Sequence, residues 1–266
     1  MKMDLKSLQK AVNMTGFLAE LEAGRCFVEN NWDIKQNFYY FDSSEKKERE
    51  IDILATNTAR PFDNKSYEIL LSFFCDVKKI TDNKAWVIFS TNRNRYDERY
   101  DYFKITSKLE VHTNKEIAKN ILNYTQKYPR IGRTYSTISA EGKNEENQIF
   151  TAIKNSTKAL KYYYNIEQRT GALINNQNIR NNIILKIMAP LIILKGSLYE
   201  IYLDDQNKEC YEKTNSLIIT YNYICENVIS ENYLIEIVTI DELNNFLKDK
   251  KQWLQSIANV YLIDLK

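Results

Sequence analysis

The most constraining feature is the run Leu70-Leu71-Ser72-Phe73-Phe74-Cys75, apolar almost throughout and then closed by Asp76-Val77-Lys78. Aromatic and aliphatic residues of this kind read as a strand over 67–79. Side chains alternate along a strand, so Asp76 and Lys78 share one face, about 6 to 7 Å apart.

The neighbouring segments supply the rest of a layered structure. A helix is predicted from Thr15, its N-cap, to Asn30-Asn31, with Phe17, Leu21 and Val28 at helical spacing. Strands follow at 32–41 and 50–55, joined as a hairpin through the polar turn 42–48, and another at 85–90 after the Thr81-Asp82-Asn83 turn. Beyond a long insertion come a helix over 144–164, strands at 184–194, 198–203, 217–223 and 233–240, and a final helix from Asp241 to about Ala258. That order indicates a sheet covered by helices, an α/β class chain.

Residues 91–143 hold eleven Lys or Arg against six Asp or Glu, the most basic stretch, interleaved with tyrosines such as Tyr96, Tyr100, Tyr102, Tyr124, Tyr128 and Tyr135. Arg93, Arg95, Arg99 and Lys104 are candidate phosphate contacts there, with tyrosines stacking on exposed bases. The competing expectation is a solvated lobe whose tyrosines form a small core of their own. The chain therefore divides into a single domain of 1–266, with a core at 10–90 and 144–266 and a basic, tyrosine-rich insertion at 91–143.

Composition excludes several chemistries. The single histidine, His112, removes paired-histidine metal sites and histidine-based nucleophile activation. Cys26, Cys75, Cys210 and Cys225 are far apart and show no zinc-ligand spacing, so reduced core thiols are expected. The longest apolar run, 183–194, is short and interrupted by Lys186, and the N-terminal decapeptide is too charged for a signal peptide, so a cytoplasmic chain with no membrane span is expected. A formal net charge of +2 neither demands nor forbids a polyanionic partner. A hydrolase of this composition must work with carboxylates, lysine and a hard metal.

Asp52, between Ile51 and Ile53, costs several kcal/mol inside a strand unless it meets water, a cation or a donor. If its strand neighbours that of Asp76 and Lys78, two carboxylates and an ammonium share a sheet face, which suits phosphodiester hydrolysis with a hard cation. Gly16, Glu20 and Gly24 fall at i, i+4 and i+8, so Glu20 lies on a glycine-flanked stripe that lets its helix approach the sheet; Glu22 is the second choice. The bland alternatives are a surface ion pair for Asp76 and Lys78 and a solvated helix residue for Glu20.

The strings Gly16-Phe17-Leu18-Ala19-Glu20, Trp32 with Tyr39-Tyr40-Phe41-Asp42, Arg49-Glu50-Ile51-Asp52-Ile53, Asp76-Val77-Lys78-Lys79 and Trp86-Val87-Ile88-Phe89 together resemble the PD-(D/E)xK nuclease superfamily over the first third of the chain. Segments 189–193 and 233–238 are similar to the second half of such a core. Ile51 stands where the motif's name has proline, and Asp76 where glutamate is frequent. The resemblance implies a restriction-endonuclease-like core, a central mixed sheet flanked by helices, here with a basic helical insertion. It implies Asp52, Asp76, Lys78 and Glu20 as catalytic residues, with Mg²⁺, or Mn²⁺ in its place, held by Asp52, Asp76, Glu20 and the Val77 carbonyl. It further implies a nucleic-acid substrate, DNA ahead of RNA, in a defence or repair setting, and members that keep the fold as inactive binding or assembly subunits. A small, nearly neutral chain implies a homodimer or a partner protein to position DNA.

Overall fold

Strand-forming segments and four helices alternate along the chain in a computed structural model that describes residues 4–61, 68–107, 123–142, 144–145, 148–173, 183–224 and 230–263. His112, Cys225 and Tyr67 lie outside the described residues. In order, the elements are α1 (Leu5–Met14), α2 (Phe17–Glu29), β1 (Asp33–Asp42), β2 (Lys47–Ala59), β3 (Glu68–Lys79), β4 (Lys84–Asn92), β5 (Lys104–Ser107), β6 (Arg130–Ser139), β7 (Asn144–Glu145), α3 (Gln148–Leu173), β8 (Ile183–Lys195), β9 (Ser197–Leu203), β10 (Glu209–Thr214), β11 (Ser216–Ile224), β12 (Ser230–Thr239) and α4 (Ile240–Ile263). Among the described residues no helix is long and apolar enough to cross a membrane.

The protein is α/β, with a mixed sheet ordered β1-β2-β3-β8-β12-β11-β6-β4-β9-β10, while β5 adds to β8 and β7 to β6. β1, β2 and β3 form an antiparallel meander, and β3, β8 and β12 run parallel to one another. The central strands read as near-continuous apolar runs because helices cover both faces. On one face Ala19, Ala23 and Phe27 of α2 and Leu243, Phe246, Leu247 and Leu254 of α4 pack with Ile53, Phe73, Cys75 and Ile193. On the other, Ile149, Ala152, Ile153 and Leu160 of α3 pack with Phe74, Ile192, Ile235 and Ile237.

A corner joins two parts of the sheet. β3 and β8 run side by side, then both turn, at Ile80 and at Gly196, and continue as the parallel neighbours β4 and β9. The Ile80 amide donates to the Lys195 carbonyl at 3.0 Å and fixes the corner. Gly196 sits at φ 151°, and a Cβ there would collide with the Ile80 side chain, so glycine is required by both conformation and space.

Several sequence expectations are corrected. Thr15 does not cap α2: its hydroxyl donates to the Val12 carbonyl at 2.7 Å and closes α1, a helix not anticipated. The apolar trio Phe17, Leu21 and Val28 is exposed, and α2 instead buries its small-residue face, Ala19, Ala23 and Gly24, with Phe27. Close approach to the sheet favours that face over the bulkier one: a Cβ on Gly24 would come within 2.7 Å of the Gln36 amide nitrogen on β1.

The expected basic helical insertion falls largely on 108–122, outside the described residues; the described part of 91–143 has helix at 123–124 and two 3-10 turns, at Arg95–Arg99 and Thr125–Lys127. It contributes β5 and β6, the latter set between β11 and β4. Among its described residues, Arg130 pairs with Glu200 and Arg133 with Asp97, each at 2.7 Å. Tyr102 and Tyr124 are buried in the core beside α4 and are not available to stack on bases.

Candidate active site

β2 and β3 pair from Ala59↔Ile69 down to Ile53↔Cys75, and there the ladder stops. β2 continues against β1 as far as Lys47, whereas Asp76–Lys79 continue against Ile192–Lys195 of β8. The two strands therefore part at Asp52 and Asp76, one residue beyond the last pair, and the opening forms a fork between them.

Asp52 fills the fork. Val77 donates its amide to Asp52 Oδ2 at 2.6 Å, so a side chain takes over where the β2 backbone no longer reaches. Within a strand the N–H and C=O of one residue face the same neighbour. The Val77 carbonyl therefore also looks into the fork, and Lys78 Nζ lies 3.4 Å from it.

Asp76 is 2% exposed. Its Oδ2 accepts from the Asn155 amide of α3 at 3.0 Å. Its Oδ1 faces the Lys78 ammonium in an ion pair. A carboxylate buried this deeply needs a cation or donors beside it, and Lys78 and Asn155 supply them.

The electrostatics follow from crowding. Burial, then the Asp76 carboxylate, pushes Asp52 up to about 7, against the opposing pull of Lys78 and the Val77 amide. Glu20 is raised, first by burial and then by Glu50 and Asp76, with Lys78 lowering it. For Lys78 burial acts downward, but Asp76, Asp52 and Glu20 outweigh it and hold the ammonium above its ordinary value. Lys78 is thus a fixed cation rather than a proton acceptor, while Asp52 titrates near neutrality.

Three of the four expected residues come together. Asp52, Asp76 and Lys78 are in the fork. Glu20, on the first turn of α2, acts on it electrostatically from a half-buried position beside Gly16. Among the described residues no three His, Cys, Asp or Glu side chains stand close enough to enclose a metal ion. Asp52 is turned onto the Val77 amide and Asp76 onto Asn155 and Lys78, so a cation would have to draw them inward. The donor set itself, carboxylate and carbonyl oxygens, fits a hard divalent ion.

The four basic candidates do not join this site. Arg93 donates to the Thr125 carbonyl and, at 3.1 Å, to the Thr125 hydroxyl. Lys104 lies opposite Met188 on β8, six residues or roughly 20 Å along the strand from Leu194, which faces Lys78. It is paired with Asp101 at 2.9 Å and Glu231 at 3.5 Å. Arg95 is exposed, and nothing is described of the Arg99 side chain.

Sequence reasoning missed two things. Asn155 carried no signal, because nothing in α3 marks which residue meets β3. The second is a buried cluster away from the fork: Glu236 and Lys250, both fully buried, pair at 2.6 Å. Tyr102 and Lys250 donate to Glu236 Oε2, while Tyr128 and Tyr124 donate to Oε1 at 2.7 and 3.1 Å. The signal existed, since Lys250 falls at i+4 between Phe246 and Leu254 on a buried stripe and Glu236 interrupts an apolar strand.

No protein-family model matches the chain, no curated protein matches it, and no solved structure matches it.

Proposed function

We propose that the chain is a metal-dependent phosphodiesterase of the PD-(D/E)xK kind acting on nucleic acid, with DNA ahead of RNA on the strength of the motif resemblance. The observation that carries this is the fork, where the buried Asp76 carboxylate stands beside Asp52, the Val77 carbonyl and the Lys78 ammonium.

Asp52, Asp76 and the Val77 carbonyl would hold Mg²⁺ or Mn²⁺, with Glu20 as an outer carboxylate. When bound, the ion supplies charge neutralisation at the phosphate and a more acidic water. Lys78, kept protonated by its acidic neighbours, orients the attacking water or meets a phosphate oxygen, and cannot itself take the proton. Asn155 fixes the rotation of the Asp76 carboxylate, so that Oδ1 faces away from α3.

A second reading is an inactive nucleic-acid-binding or assembly module. It is favoured by the absence, among the described residues, of three acidic groups already gathered for a metal. Both are tested by titrating purified protein with Mg²⁺ and Mn²⁺ and by digesting labelled single- and double-stranded DNA and RNA. The nuclease reading predicts cutting that needs the ion and falls by at least about 10³-fold in Asp76→Ala and Lys78→Ala proteins that retain their far-UV spectrum. A folded wild type that neither binds the ions nor cuts any of the four substrates would leave the second reading standing.

A further inference from the structure

The fork has a basic flank of its own. Beyond Asp52 the β1-β2 hairpin runs on to the turn 43–46. Its tip is fastened to α3 by Lys158, 7% exposed, which donates to the Asp42 carboxylate and, at 2.7 Å, to the Ser44 hydroxyl. Glu45 in the same turn gathers three further cations: Lys154 of α3 at 2.8 Å, Lys47 at 2.9 Å, and Arg49. Those three side chains are 36 to 52% exposed, so they are open to a ligand in a way that Lys158 is not.

The charge balance is the reverse of that around Arg130 and Lys104. Arg130 lies between Glu200 and Glu212, and Lys104 between Asp101 and Glu231, one cation to two carboxylates. At the hairpin tip Lys47, Arg49, Lys154 and Lys158 meet Asp42 and Glu45, four positive charges against two negative. Glu48 and Glu50 do not offset the excess, because alternation turns them to the other face of the hairpin, where they stand opposite Phe41 and Tyr39. An ammonium has three donors and a guanidinium five, so the two oxygens of Glu45 leave most of them to water. Half-exposed ion pairs of this kind are worth little, and an incoming anion replaces water or Glu45 at small cost.

The flank adjoins the fork on both of its elements. Arg49 precedes Asp52 by three residues on β2, roughly 10 Å along the strand. Lys154 precedes Asn155, whose amide holds Asp76. Tyr40, buried opposite Arg49 on β1, senses both places: burial and then Asp42 hold its hydroxyl above the ordinary value, with Arg49 pulling it down and Asp76 adding to the rise.

We infer that Lys47, Arg49 and Lys154 bind the backbone phosphates next to the scissile one, with Glu45 keeping the three side chains together until the strand arrives. The inference rests on reading the fork as the phosphodiester site and deepens it: the strand runs along the hairpin tip and α3. Contacts of this kind fix its register and carry no sequence preference.

The test is binding in EDTA, where no divalent ion is present and nothing is cut, read as fluorescence anisotropy of a labelled DNA strand and of its duplex over a salt series. The double variant Arg49→Gln/Lys154→Gln should weaken binding about threefold or more for each cation and lower the slope of log affinity against log salt by about two. Lys213→Gln, at an exposed lysine of β10 on the opposite end of the sheet, should change neither. Glu45→Gln should tighten binding about threefold, because it releases three cations, whereas a turn needed only for folding predicts a loss. If the double variant melts early, Lys47→Gln at the most exposed of the three side chains should lower the slope by about one with the melting temperature unchanged. Wild type that binds neither probe at low salt overturns the proposal. So does equal weakening by Lys213→Gln, or a folded Glu45→Gln protein that binds no more tightly than wild type, even where metal-dependent cutting is established. Absence of cutting by the metal-loaded protein with this binding pattern intact would instead sink the nuclease reading and leave the flank as a phosphate-binding face.

Discussion

At the scale of single residues, the fork makes a pH prediction with a definite sign. Asp52 is raised from the ordinary carboxylate value to about 7 by burial and by Asp76, so the folded protein holds a proton there that the unfolded chain has lost. The resulting stability is fully present below the unfolded value near pH 4 and is lost as pH rises through about 7. The ion-free protein should therefore melt at a lower temperature at pH 8 than at pH 5.5 on account of this group. Asp52→Asn should flatten that difference, and a variant that keeps the full pH dependence would show that another group is responsible. Ion binding has the opposite dependence, because a carboxylate must be deprotonated to bind. Mg²⁺ affinity measured by calorimetry should weaken below pH 7 in wild type. A second prediction concerns Lys78, whose role is that of a fixed charge: Lys78→Met should abolish most cutting, while Lys78→Arg should retain a measurable fraction if charge is what matters and fall to the Met level if the compact ammonium is needed. The gel assay of labelled DNA reads both.

At the scale of elements, what could be read from the sequence was the part governed by alternation. β2, β3, β8, β11 and β12 stand within a few residues of the expected positions, because β-branched and aromatic runs bounded by turns leave little choice. Asp52, Asp76 and Lys78 were legible for the same reason, since strand parity fixes their face once the neighbours are known. α2 was found but turned the wrong way: periodicity favoured Phe17, Leu21 and Val28, whereas contact distance decided for the small residues. β6 was missed because its lysine- and arginine-rich surroundings suggested a surface lobe, and only tertiary ion pairs show that Arg130 and Arg133 are used within the fold. The corner at Gly196 is a requirement of the same local kind. Gly196→Ala places a methyl against Ile80 in a backbone conformation that L residues rarely adopt, and it should cost about 2 kcal/mol or more, seen as a lower urea midpoint. Pairing it with Ile80→Ala relieves the collision but not the backbone strain, so the double variant should recover only part of the loss. Full recovery would show that sterics alone require glycine.

At the scale of the whole molecule, the Glu236 and Lys250 cluster ties the basic segment to the core. Tyr102 lies before residues 108–122 and Tyr124 and Tyr128 after them, and all three hydroxyls reach the one carboxylate on β12. Lys250 of α4 donates to Glu236 and to the Tyr102 hydroxyl, each at 2.6 Å, with its ammonium 3.5 Å from the Tyr124 ring centre. Burial pulls Lys250 down to about 7 even against Glu236, and it raises Glu236, so neither charge is comfortable alone. Removing one partner leaves the other unpaired in the interior, which costs about 3 to 5 kcal/mol. Glu236→Gln and Lys250→Met should each lower the melting temperature by roughly 10 °C. The double variant should lose less than the sum of the two, by a coupling of about 1 to 3 kcal/mol, because the second change removes a charge already stranded by the first. Since the segment is fastened on both sides, its tyrosines should unfold with the core: tyrosine fluorescence and far-UV circular dichroism should report one transition in the wild type. Additive losses would show that the pair is not coupled, and an earlier fluorescence transition in the wild type would show that the segment is held by something other than this carboxylate.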